Sequence, residues 1–350
     1  MYSNPKRISP LFLTTLTVAA LSLAGTTPYA ATSSPSDSAA TAAKPADPHW
    51  VVGNDACVKC HAPEIQVWKQ TPHARTFDEL HRRPEAKQIA AKLGLTSIKS
   101  EERCVACHYT QRAQASGDLH AIAGVSCESC HGAAKEWLEL HHDYGGEQIT
   151  RLSESPDHRL QRIARSVAAG MRNPSNVYSV AQSCLRCHTT ADEQLVNVGG
   201  HSTGSLDFEF VSWSQGMIRH NFVRTDGKTN ELSSPERVRV MFVAGIVAEL
   251  EASLRATAIA TEKATYGITA AKRAARAGAR LKSVTSKVDA PLLNEIVSIF
   301  NSVTLKLNNA TALTAAADKI AKLGFQFADR NDGTSLSPLD GFIPKSDRFK

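Results

Sequence analysis

The sequence predicts a mainly α-helical chain in two unlike parts, a cysteine- and histidine-rich region followed by an antiparallel helical bundle. Three observations predict this. All eight cysteines and all thirteen histidines of the 350-residue chain lie between His49 and His220. Residues 234–328 hold neither, and instead carry Ala-rich runs with apolar residues at three- and four-residue steps. The polar stretch Thr225-Asp226-Gly227-Lys228-Thr229-Asn230 lies between the two textures. The length leaves room for two domains, expected at 49–230 and 231–330, with 331–350 as a C-terminal tail.

The start of the chain reads as an export leader. Lys6 and Arg7 precede an apolar run from Leu11 to Ala24, and small residues with a turn follow at Gly25-Thr26-Thr27-Pro28-Tyr29-Ala30-Ala31. This is the order of a cleaved signal peptide over residues 1–30, with the cut near Ala30 or Ala31. Its apolar core is short for a span of about 20 residues. The mature chain is therefore expected to be periplasmic, with no membrane span. Residues 31–48, rich in Ala, Ser, Thr and Pro, read as a flexible linker. Loss of Lys6 and Arg7 lowers the formal charge from +6 to +4. No nucleic-acid-binding module is visible.

The cysteines fall into four pairs, each spaced by two residues and followed at once by histidine: Cys57/Cys60/His61, Cys104/Cys107/His108, Cys127/Cys130/His131 and Cys184/Cys187/His188. Two thiols three apart on a helical turn reach the two vinyl groups of one porphyrin. The next residue places its imidazole on the iron. Neither a zinc half-site nor a thiol redox pair requires that histidine, and here it follows every pair. The reading is four covalently bound haem c groups, with His61, His108, His131 and His188 as proximal ligands. A haem-packed domain needs little aromatic core of its own. About −1 of charge on each ferric bis-imidazole haem would offset most of the basic excess, so the sequence pI is a weak guide to partners.

A sixth ligand for each iron must come from elsewhere. Nine histidines remain, at 49, 73, 81, 120, 141, 142, 158, 201 and 220. Beyond the initiator, the methionines are only Met171, Met217 and Met241. Bis-histidine ligation is the default. Thr71-Pro72 reads as a capping Thr followed by Pro at the first helical position, which would fix the approach of His73.

From Trp68 to Ala74 and from Gly124 to Gly132, the region resembles the tetrahaem cytochrome c-554 family. The stretches that carry the resemblance are Trp68-Lys69-Gln70-Thr71-Pro72-His73-Ala74, the close second and third motifs, and Gly124-Val125-Ser126-Cys127-Glu128-Ser129-Cys130-His131-Gly132. It covers about residues 50–190. The resemblance implies His73 as distal ligand to another motif's haem, the third, and His141 as distal ligand to the first, with His142 as its competitor. It also implies that the iron above His108 can stay open. The family places a histidine just before the fourth motif, whereas Val177–Ser183 holds none, so His201 and His220 are the candidates for the fourth haem. Gly216 is expected to allow a close backbone approach near them.

In the second part, Ser234-Pro235-Glu236 starts a helix whose stripe is Val240, Val243, Val247, Leu250 and Leu254. A break near Gly267 separates a basic second helix through about Lys287. Asp289-Ala290-Pro291 starts a third, with Leu293, Ile296, Phe300 and Val303 on its face. Leu313, Ile320, Leu323 and Phe327 mark a fourth.

The function expected from these features is electron transfer between periplasmic redox partners, with a multihaem oxidoreductase among the candidate partners. One alternative is an enzyme reducing a small nitrogen oxide at an open haem. Another is a docking or sensory protein acting through its bundle.

Overall fold

A computed structural model describes residues 44–350, and the expected leader and most of the linker lie outside the described residues. The described residues all belong to one compact unit.

The cysteine-rich part is built of short helices. α1 (Asn54–Val58) carries the first cysteine, and His61 caps α2 (Ala62–Lys69). At α3 (Pro72–Glu79), the Thr71 hydroxyl accepts from the Ala74 amide and Pro72 opens the helix, so the chain turns there and presents His73 in the first turn. α4 is Pro84–Lys92, and α5 (Glu102–His108) ends on the second motif. A hairpin that the sequence reading did not contain follows: β1 (Thr110–Ala113) pairs antiparallel with β2 (Leu119–Ala123). α6 (Cys127–His131) holds the third motif, opened by a capping box between Ser126 and Ser129. α7 is Pro156–Ala168, and α8 (Val177–His188) ends on the fourth motif. Two short helices follow, α9 (Glu193–Asn197) and α10 (Phe210–Ser214).

The bundle comprises α11 (Pro235–Ala258), α12 (Thr265–Thr285), α13 (Pro291–Asn301) and α14 (Ala310–Arg330). Ser234 caps α11 and Pro235 opens it. Val243, Val247, Leu250 and Leu254 are fully buried. Burial extends well beyond that stripe, because α11 runs between α8, α12 and α14 and is covered on every side. The break between α11 and α12 falls at 259–264. Gly267 lies inside α12, where a side chain would collide with the Glu262 carbonyl. Leu293, Ile296, Leu313 and Ile320 are fully buried, while Phe300 and Val303 are only partly covered.

The polar stretch at 225–230 separates two compositions but not two cores. Val177, Tyr178, Ala181 and Leu185 of α8, with Phe210 and Val211 of α10, pack in one apolar cluster with the bundle helices. Buried polar groups reinforce this seam. The Tyr178 hydroxyl and the Gln182 amide donate to one Glu251 oxygen at 2.6 and 2.7 Å, and Arg255 Nε donates to the other at 2.8 Å. Arg255 also reaches Asp318 on α14 at 2.8 Å. Residues 334–342 fold back as a 3₁₀ helix, burying Leu336 and Leu339 in the same core. Among the described residues, no helix is long and apolar enough to cross a membrane.

Candidate haem sites

The four motif histidines each face a second histidine. His61 faces His141, His73 faces His188, His108 faces His201, and His131 faces His220, with ring centres 6.2, 6.2, 6.1 and 6.2 Å apart. Metal–imidazole bonds of about 2 Å, with each ring centre about 1 Å behind its nitrogen, require a spacing of about 6 Å. Four pairs at one common separation, too wide for ring contact, are the geometry that four axially ligated irons would require.

Hydrogen bonds at Nδ1 support the same fit, because they leave Nε2 for a metal. His188 Nδ1 meets Ser205 Oγ at 2.9 Å, and His131 Nδ1 meets the Arg172 carbonyl at 3.2 Å. On the opposing side, His201 and His220 bond the carbonyls of Ser202 and Ile218 at 2.8 and 2.6 Å, and His141 bonds that of Leu138. Burial holds His108, His131 and His188 down at about 4, so their imidazoles are neutral at pH 7, as ligation needs.

Local structure delivers each distal ring. Trp137, buried, packs edge-on against His141 at 5.3 Å. Arg162 donates to the His141 carbonyl at 2.6 Å and is itself gripped by Glu154 through two bonds of 2.7 Å. His201 follows Gly199-Gly200, with Gly200 at φ +78°, where α9 turns back on itself. Gly216 allows the Lys350 backbone to pass: a side chain there would sit 1.8 Å from the Lys350 carbonyl oxygen. Lys350 also accepts from the Met217 amide at 2.7 Å, bracing the segment that leads to His220.

The pairing corrects three expectations drawn from the resemblance. His73 does not face the third motif. The Thr71-Pro72 turn and the bond from the Val125 amide to the His73 carbonyl (3.0 Å) carry it to His188 instead. His201 and His220 do not serve the fourth motif, since their loops reach the second and third. His108, expected to have an open position opposite it, is faced by His201 at 6.1 Å. Of the other histidines, His142 points to Glu139 at 3.3 Å, His158 to Glu154 at 2.7 Å and His49 to Asp47 at 3.1 Å.

The first motif differs from the other three at Cys60. The spacing alone puts both thiols of a pair on one helical turn, against the group they would tether. Cys60 instead is exposed, whereas the other seven cysteines are half-buried. The reason is local. α1 ends at Val58, so Cys60 falls in the turn between α1 and His61 rather than on the helix that carries Cys57. A bond from the Cys60 amide to the Cys57 carbonyl at 3.2 Å still holds the two residues of the pair together.

The eight thiols are unpaired. They form no zinc site: among the described residues, no three His, Cys, Asp or Glu side chains converge on a metal position. The thiols of different motifs meet, Cys57 with Cys127 and Cys107 with Cys187. The third and fourth motifs adjoin as well, with Cys130 near Cys187 and Cys184. Glu128, inside the third motif and fully buried, accepts from the amides of Val52, Gly53 and Ala134 at 3.0, 2.8 and 2.8 Å. It thereby ties the chain leading into the first motif to the third. Sequence reasoning passed over Glu128, Ser205 and Arg162, because a partner many residues away leaves no local pattern.

One further observation bears on the fit. Among the described residues, none before Val177 belongs to either apolar core cluster. More than a hundred ordered residues thus surround the first three motifs with only scattered buried apolar side chains, as expected where porphyrin supplies the apolar mass.

Comparison with known proteins agrees. Residues 56–132 match the family described as cytochrome c554 and c-prime. Cytochrome c-554 of Nitrosomonas europaea is 32% identical over 100 residues, which cover 27% of this chain and 43% of that cytochrome. The match therefore spans less than half of the relative's length. No solved structure matches the chain. Haem c, covalently bound through the cysteine pairs, is the group this family's motifs carry. Residues 56–132, with the first three attachment motifs, are thus similar to the cytochrome c554 and c-prime family.

Proposed function

We propose that the chain is an exported four-haem electron carrier in which every iron is held between two imidazoles. The observation that carries this reading is the set of four histidine pairs at 6.1–6.2 Å, one for each attachment motif. Bound haem c supplies a one-electron couple at iron. The chain's own residues fix that couple in place: cysteines tether the porphyrin edges, paired imidazoles close both axial positions, and Nδ1 partners hold the rings in orientation. A closed axial set changes little between oxidation states, which suits a carrier and leaves a small molecule no vacant site.

The thiol contacts give the carrier an order. The first and third motifs meet through Cys57 and Cys127 and the fourth and second through Cys187 and Cys107, while the third and fourth lie close enough for their thiols to interact electrostatically. Electrons would enter at either end of a row running first, third, fourth, second, and leave at the other. The exposed Cys60 puts the first-motif end of that row at the surface, within reach of a partner. The leader-like residues 1–30 support a periplasmic setting, with soluble redox proteins as partners. A nitrogen-oxide reductase is less well supported, because His201 stands where its substrate would bind.

The test is spectroscopic. Mass and pyridine haemochrome of the mature protein should give four haems, all low-spin and unreactive to carbon monoxide. His141→Ala and His201→Ala should each keep four haems but turn one high-spin and open to carbon monoxide. A wild type with a carbon-monoxide-binding haem, or variants with unchanged spin, would overturn the assignment.

A further inference from the structure

We infer that Arg273, on α12 of the helical bundle, is the fixed counter-charge of the fourth haem and raises its reduction potential. The inference rests on the proposed haem assignment. Arg273 is 4% exposed, yet no carboxylate lies within ion-pair distance of it among the described residues. The neighbouring Arg276 and Arg280 occupy Glu249, at 2.6 and 2.9 Å. Glu249 acts on Arg273 only at longer range, shared with two closer guanidiniums, so the burial of Arg273 stays costly.

What Arg273 does touch is the fourth motif. Its guanidinium donates to the His188 carbonyl at 3.2 Å and to the Thr203 carbonyl at 3.3 Å, while its Nε, also buried, has no partner. Thr203 lies between His201 and Ser205. Ser205 bonds His188 twice, from its amide to the carbonyl at 3.0 Å and through its hydroxyl to Nδ1. Gly204, at φ +80°, lets this strand lie against the His188 carbonyl, where a side chain would sit 2.1 Å from the oxygen. One guanidinium thus grips the proximal ligand of one site and the loop that delivers the distal ligand of another.

The electrostatics have a definite sign. With haem c bound at the fourth motif, a one-electron reduction would make that site one unit more negative. A fixed positive charge held out of water on the proximal side favours that reduced form. Arg273 therefore makes this member of the row a better electron acceptor than its ligands alone would. It also gives the bundle a part in redox tuning.

The experiment is a spectroelectrochemical titration of the four-haem protein and two variants. Arg273→Gln removes the charge. Thr269→Asp keeps Arg273 and its hydrogen bonds but places a carboxylate one turn away on the same helix, at a position lining the same small cavity. Both should lower one of the four midpoint potentials and move the others less, while haem count and low-spin spectra stay the same. Arg273→Lys should restore most of the potential lost in Arg273→Gln. If Arg273→Gln fails to accumulate, Thr269→Asp alone decides. Unchanged potentials with four intact low-spin haems would overturn the role of Arg273 and leave the carrier assignment standing, whereas loss of haems would count against the assignment itself.

Discussion

The two parts of this molecule hold together by different means. In the bundle, α11 is enclosed by apolar side chains, and Val243, Val247, Leu250 and Leu254 have no exposed surface. Between residues 44 and 176, buried apolar residues such as Ile65, Val105 and Trp137 are isolated and join neither core cluster. There the helices are short, and buried polar hubs such as Glu128 and Glu154 make the long-range ties. The bundle is a fold that its own side chains complete. The motif region is a scaffold shaped around groups it binds covalently.

The largest test of that contrast is to prevent haem attachment. With the cysteines of all four motifs changed to Ala, limited proteolysis should digest the first part and leave a protected fragment containing α11 to α14. Uniform resistance, or uniform digestion, would show that the two parts do not differ in this way.

Core truncations should separate the parts more finely. Leu250→Ala should cost about 2–5 kcal/mol, because the site is fully enclosed and cannot collapse. Ile65→Ala should fall at or below the bottom of that range, since Ile65 belongs to no apolar cluster. Equal losses in thermal or denaturant unfolding of the two holo-variants would remove the distinction.

A smaller effect is expected at Glu128. Glu128→Ala leaves three backbone amides without their carboxylate and should cost about 2–3 kcal/mol, with four haems still attached. Because Glu128 joins the first motif to the third, the change should also weaken redox interaction between two haems in a potentiometric titration. An unaltered titration would show that the tie is only structural.

Much of this was legible in the sequence. The Cys-Cys-His spacing, the Thr71 and Ser234 caps and the α11 stripe are local patterns, and local patterns survive in one dimension. The eight histidines singled out as ligands are also the eight that face one another at 6.1–6.2 Å. Of the pairings, only His141 opposite the first motif was legible; His73 and His188, for example, come together across most of the motif region through a turn, a hairpin and four helices. Nor was the exposure of Cys60, since the spacing is the same in all four motifs and only the early end of α1 sets this one apart. The break assigned to Gly267 failed for a related reason. That glycine is required by the close approach of the Glu262 carbonyl inside the helix, not by a turn. Composition marked a boundary near 230, but the apolar core spans it through α8. Its Tyr178, Ala181 and Leu185 face the bundle while its last turn carries Cys187 and His188.

The polar hub at Glu154 allows the most delicate test. Arg162, with help from His158, holds this carboxyl at about 2, well below its ordinary 4.5. Its side chain has no exposed surface, so solvent screens the pair little. A depressed carboxylate contributes stability that is fully present above its unfolded value, and that is lost as pH falls through the folded one. The stability difference between wild type and Glu154→Gln should therefore stay constant from neutral pH down to about 5, then shrink between about 4.5 and 2. Arg162 also holds the His141 carbonyl, so in Glu154→Gln the first haem should lose its low-spin character at a higher pH than in wild type. If the two proteins lose it together, Glu154 supports the fold but not the position of His141, and the polar hubs of the motif region would then be separable from its ligands.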